Sequence, residues 1–108
     1  MPYNQEIRIS LRRDKEETSG YISLGDVSRD SRTYVSILCP FCDMWFHFAT
    51  ILGSDVKYRP GTTAGVFVCG RGVEWSVERF EIISTRKGER ILYFGFDLKM
   101  PTLIVRQL

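Results

Sequence analysis

The chain has 108 residues, of which 44% are hydrophobic and 26% charged, and its formal net charge is +2. That composition supports one folded domain with a core of its own and excludes a wholly disordered chain. Fifteen Lys and Arg stand against thirteen Asp and Glu, so a nucleic-acid face, if there is one, must be made by folding and not by bulk charge.

The first twenty residues carry Glu6, Arg8, Arg12, Arg13, Asp14, Lys15, Glu16 and Glu17 and no apolar run, so no secretory leader is expected. Thr33 to Ser54 is the most apolar stretch. Pro40, Asp43 and His47 near its middle favour a buried hairpin or helix over a membrane span. Three cysteines are an odd number, which suits reduced thiols or metal ligands better than a secreted disulfide framework. A soluble, cytoplasmic protein without membrane contact is the expectation.

Ile7, Ile9 and Leu11 alternate with Glu6, Arg8, Ser10 and Arg12, the period of a half-buried strand. Asp14 to Gly20 reads as a polar turn, Tyr21 to Leu24 as a short return strand, and Gly25 to Arg32 as a loop. Thr33 to Leu38 is strand-like and is stopped by Cys39-Pro40-Phe41-Cys42. Asp43 to Leu52 admits two readings. As a helix it has Asp43 as N-cap and Gly53 just past its end, with Met44, Phe48, Ile51 and Leu52 on one side. As a strand, Met44, Phe46 and Phe48 alternate against Trp45, His47 and Ala49.

Arg59-Pro60-Gly61 signals a turn, and Val66 to Cys69 leads into another at Gly70-Arg71-Gly72. Val73, Trp75 and Val77 then alternate with Glu74, Ser76 and Glu78, and the strand runs on through Phe80, Ile82 and Ile83. Lys87-Gly88 turns the chain, Leu92, Phe94, Phe96 and Leu98 bring it back, and Pro101 precedes a last strand from Leu103 to Leu108. The pattern predicts a single compact domain over residues 1–108. Its class is mainly β: a small barrel or sandwich of about six to eight mostly antiparallel strands, with at most one short helix at 43–52.

Cys39 and Cys42, two residues apart across a turn, can point both thiolates to one side. Zinc takes four such ligands in a tetrahedron. Cys69 and His47 are the other cysteine and the sole histidine, so the candidate metal set is Cys39, Cys42, His47 and Cys69. Cys69 adjoins the Gly70-Arg71-Gly72 turn, so two hairpin ends could meet across an ion. The Cys-Pro-Phe-Cys turn resembles a zinc-ribbon knuckle over these four residues, which implies thiolate-held zinc. The second half-site departs from that pattern with one cysteine in place of a pair, and Asp43 stands where the knuckle has a glycine. The competing reading is buried free thiols beside a core histidine.

The same residues support two further resemblances and a surface reading. A strand, Cys-Pro-Phe-Cys and a helix are similar to the active-site segment of glutaredoxins, which implies thiol–disulfide exchange by a Cys39 thiolate at a helix N-terminus; Ala64 stands after Thr63 where that family has a cis-proline. Arg8-Ile9-Ser10-Leu11-Arg12 followed by Asp26-Val27-Ser28 resembles the two motifs of PilZ domains, which implies a cyclic dinucleotide gripped by the arginines; Ser31 replaces the family's glycine. Arg12, Arg13 and Lys15 form one basic patch and Arg86, Lys87 and Arg90 another, both candidates for nucleic-acid contact, with Trp75 or Tyr93 as stacking platforms. Asp14, Glu16, Glu17 and Glu89 dilute both patches.

No Ser/His/Asp relation, phosphate-cradling glycine motif or paired acidic motif is readable. The expected function is therefore a non-enzymatic β-rich binding or regulatory module. It would act through a protein partner or as a homo-oligomer, with zinc as its candidate cofactor. A nucleic-acid-binding barrel and a glutaredoxin-like redox protein are the alternatives.

Overall fold

The period-two alternation is carried into strands throughout. The computed structural model describes residues 4–26, 32–53, 55–60, 62 and 65–99. Among these lie eight strands and no helix: β1 (Asn4–Ser10), β2 (Glu17–Asp26), β3 (Arg32–Cys39), β4 (Met44–Leu52), β5 (Asp55–Tyr58), β6 (Val66–Val68), β7 (Glu74–Ser84) and β8 (Glu89–Lys99). They form two four-stranded sheets, ordered β1-β3-β4-β5 and β2-β8-β7-β6. Among the described residues neither closes on itself, an open two-sheet form of the small barrel-or-sandwich class that the sequence predicts. Every ladder is antiparallel except β1 on β3.

The inward faces meet in one core. Ile7, Ile9, Val35, Ile37 and Ile51 of the first sheet and Leu24, Phe67, Trp75, Leu92 and Phe96 of the second are all buried in it. Removing each such side chain from water contributes about 1.5–3 kcal/mol. Phe48 is the centre of the arrangement. Its ring lies 5.6 Å from Tyr58, 5.5 Å from Phe67, 5.1 Å from Phe80 and 5.6 Å from Phe96, mostly edge to face, the geometry aromatic quadrupoles favour.

Residues 43–52 resolve in favour of the strand, and the reason for the ambiguity is visible. Val35 pairs with Ala49 but Ser36 pairs with His47, so Phe48 is an extra residue in β4. This bulge re-aims the strand: Phe48 and Ala49 are both fully buried, and the inward phase passes from even to odd positions, ending at Ile51. A phase change inside ten residues imitates the spacing of a helix.

Two other boundaries differ from expectation. β2 begins at Glu17, inside the stretch expected to turn, because Thr18 is buried and Gly20 lies beneath the Phe94 ring. A Cβ at Gly20 would stand 3.1 Å from Phe94 Cζ, so only glycine leaves room for that ring without displacing it. β5 was not anticipated, since four residues with Val56 and Tyr58 packed inward are too short to show a period. The strand expected at Leu103–Leu108 lies outside the described residues.

Arg90 links the two sheets from within. It is 1% exposed; its Nη1 donates to the Gly53 carbonyl at 2.7 Å and its Nη2 reaches the Leu24 carbonyl at 3.5 Å. The expectation that it joins Arg86 and Lys87 in a surface patch is therefore corrected. The alternation of β8 aims position 90 inward, with Leu92.

Candidate metal centre

The β3–β4 turn places two thiols. Cys39 ends β3 on its inward face, in phase with Val35 and Ile37, and is fully buried. Pro40 and Phe41 carry the chain round to Cys42, and the Asp43 amide closes the turn by donating to the Cys39 carbonyl at 2.9 Å. Asp43 has φ 57°, the left-handed conformation that suits glycine best and that aspartate tolerates better than most residues. The aspartate thus adopts the backbone shape a knuckle glycine would supply.

The β6–β7 turn of the opposite sheet places the third. The Gly72 amide donates to the Cys69 carbonyl at 2.8 Å, and the Cys69 amide to the Val73 carbonyl at 3.1 Å, with Gly72 at φ 80°. The Sγ atoms of Cys39, Cys42 and Cys69 all lie within 4.8 Å of one another, with Cys39 and Cys69 buried and Cys42 half-buried. All three cysteines are free.

The surroundings act differently on Cys42 and Cys69. Burial alone would raise the Cys42 thiol. The Met44 amide, the thiols of Cys69 and Cys39 and the Gly70 amide act against burial and hold it below its ordinary 9.0. Burial pushes Cys69 up to about 11, assisted by its two thiol neighbours and opposed by the amides of Arg71 and Val73. Thiols packed this closely can give up their protons together to a soft cation.

His47 does not join the set. It precedes the Phe48 bulge on the outward face of β4, whereas Cys39 faces inward. Its Nε2 donates to the Ala49 carbonyl at 3.0 Å and lies 3.0 Å from Thr50 Oγ1. Of the four expected ligands three converge, and among the described residues no fourth Cys, His, Asp or Glu side chain lies with them. The missed signal was the register of the turn: Cys39 pairs with Met44 and Ser36 with His47, so His47 shares a face with Ser36 and not with the cysteine.

No protein-family model, curated protein or solved structure matches this chain.

The other expected sites are dispersed. Arg12 pairs with Asp14 at 3.2 Å, Arg13 stacks over Phe41 at 5.3 Å, and Lys15 is exposed in the same connection. Arg86 and Lys87 occupy the β7–β8 turn. The register sets these two patches at opposite ends of the second sheet, because Glu17 pairs with Asp97 at one end and Asp26 with Glu89 at the other. Trp75 is wholly buried and offers no stacking surface. Tyr93 is half-buried and covered by Arg79, whose Cζ lies 4.7 Å from the ring centroid. Arg8 of the PilZ-like pair binds Glu6 and stacks on Trp45. Its second motif lies mainly outside the described residues. The helix implied by the glutaredoxin-like segment is replaced by β4. Among the described residues no helix is long and apolar enough to cross a membrane.

Proposed function

We propose that this chain is a non-enzymatic binding module whose two sheets are clasped by a zinc ion held on Cys39, Cys42 and Cys69. The convergence of three sulfurs from two turns in opposite sheets carries this reading. Zinc accepts three thiolates with a fourth position left to water or to an incoming ligand, and when bound it would tie the β3–β4 turn to the β6–β7 turn. The residues present fit that ion: all three donors are sulfur, and the backbone amides around Cys42 and Cys69 favour the charged form. Two features weigh against thiol exchange as the main role. Cys39 is fully buried, and no helix N-terminus follows Cys42 to activate it.

The clasp would hold a contact surface in shape. Met44 (62% exposed), Trp45 (42%) and Val68 (56%) are large apolar side chains left in solvent. They line one groove together with Cys42 and Cys69. Aromatic and Met side chains of this kind are enriched where proteins meet.

The test is metal analysis on untagged protein prepared without chelator. About one zinc per chain is expected, falling below about a tenth in Cys69→Ser. Cobalt substitution should add a thiolate-to-metal absorption band that Cys39→Ser weakens. Wild-type protein that takes up neither metal would overturn the reading.

A further inference from the structure

The outward face of the first sheet carries a second feature, whose His47 and Arg59 also border the groove beside Cys42 and Cys69. Tyr34, Thr50 and Lys57 form one cross-strand row over β3, β4 and β5. Arg32 stands in the next row, His47 beside Tyr34 at 6.1 Å between rings, and Arg59 just past β5. These six side chains line one concave cavity of about 480 Å³. No carboxylate lines it, and among the described residues Arg32, Lys57 and Arg59 make no ion pair. The nearby acids are Glu6, already bound to Arg8, and Asp55 at the start of β5.

We infer that this cavity binds a nucleotide unit, its base on the Tyr34–His47 floor and its phosphate on the cationic rim. Three points carry the inference. First, the cations flank the floor on two sides: Arg32 lies two residues along β3 from Tyr34, and Lys57 lies across β4 on β5, two strand spacings or roughly 10 Å from Tyr34. Second, the volume is far larger than a lone phosphate needs and falls in the range of small-molecule sites. Third, the face continues. Arg8 lies over Trp45 at 5.4 Å, one step further along β4 from His47, and Trp45 is outward and exposed. A cationic track with aromatic platforms at intervals is how single strands are bound without sequence preference. A free nucleotide and a single strand share this chemistry, and the continuation toward Trp45 favours the strand.

The experiment titrates the whole 108-residue chain, as purified without chelator, into a fluorescein-labelled oligothymidylate of about twelve nucleotides, with AMP as competitor. Saturable binding with Kd of roughly 1–100 µM at low salt is expected, weakening steeply as salt rises. Lys57→Gln with Arg59→Gln should weaken it about tenfold, and Tyr34→Ala by a similar factor. Arg86→Gln with Lys87→Gln, on the other sheet, should leave it unchanged. Displacement by AMP assigns the cavity to free nucleotides, and failure of AMP with retention of the oligomer assigns it to single strands. Either result supports the nucleotide site. Absence of saturable binding, indifference to Lys57 and Arg59, or equal displacement by oligoglutamate overturns it. Should a variant fail to fold, amide shifts in the wild type decide: they must centre on Tyr34, His47, Thr50 and Lys57. Metal content is measured separately, so loss of the clasp and loss of this site are distinguishable.

Discussion

The Asp43 amide donates to the Cys39 carbonyl across 2.9 Å while Asp43 itself holds a left-handed φ of 57°. A turn that brings two thiols together thus depends on a residue in a backbone region that costs most L-residues about 1–2 kcal/mol. Asp43→Gly should keep the turn and its metal, with Tm within a few degrees of wild type. Asp43→Val should lose about 1–2 kcal/mol, a drop of about 4–15 °C in a thermal melt. Equal stability of the two variants would show that the left-handed conformation is not maintained.

Metal removal is the second prediction. A ligand bound only by the folded state stabilises it by about 4 kcal/mol at a thousandfold excess over Kd. Excess chelator should therefore lower Tm by roughly 10–20 °C in the wild type. It should have no effect on Cys39→Ser or Cys69→Ser, whose Tm already sits near the chelated value. Scanning calorimetry with and without chelator makes the comparison.

Phe48 tests the core. It touches four other aromatic rings and is fully buried, and truncating such a residue costs about 3–5 kcal/mol. For a domain whose whole stability is about 5–15 kcal/mol, Phe48→Ala should halve the urea midpoint or abolish folding. Phe48→Leu should cost distinctly less. A midpoint unchanged by the alanine would contradict the placement of Phe48 between the sheets.

Arg90 tests the link between sheets. Arg90→Lys retains the charge but cannot reach two carbonyls with a planar fork, and hydrogen bonds from charged donors contribute about 1.5–3 kcal/mol. The lysine variant should melt lower, and Arg90→Ala lower still because it also leaves a void. Neither should change binding of the oligonucleotide at temperatures where the variant is folded. A lysine variant as stable as wild type would show that the Gly53 contact contributes little.

Glu78 predicts a pH effect. A hydrogen bond that the protonated Glu78 carboxyl donates to Asp97, repulsion from the same group, and a smaller effect from Glu17 raise the Glu78 carboxyl above its ordinary 4.5. The folded state then holds the proton more tightly than the unfolded one, so this group's contribution to stability falls as pH rises from 4.5 through the raised value. Glu78→Gln removes a charge that is unfavourable only above that window. Its Tm should exceed wild type at pH 7 and match it near pH 3.5; a gain of the same size at both values would assign the effect to something other than ionisation.

Much of the fold was legible because apolar residues recur at every second position. Ile7 and Ile9, Val35 and Ile37, and Leu92 and Phe96 all point as their spacing required. The failures fall where that period is broken or too short to read. The extra residue at Phe48 disguised β4 as a helix, and His47 faces outward because the β3–β4 turn sets it opposite Ser36. Gly20 looked like a turn residue because its packing partner, Phe94, lies far along the chain. Of the metal centre, the cysteines were readable and their convergence was a matter of two turns adjoining them. The cavity on the first sheet was invisible: Arg32, Tyr34, Lys57 and Arg59 are scattered in sequence and become neighbours only through the β3-β4-β5 register.

The order of the second sheet has a consequence for how the chain assembles. Among the described residues β2 has β8 as its only ladder partner, and β8 is the last strand described. The meanders β3-β4-β5 and β6-β7-β8 can form from neighbouring segments, but β2 must wait, its hydrogen-bonding edge unsatisfied, until β8 (Glu89–Lys99) has been made. Pairing between such distant segments slows folding and prolongs exposure to aggregation. Truncations before Leu92 should therefore yield insoluble chains rather than a smaller domain.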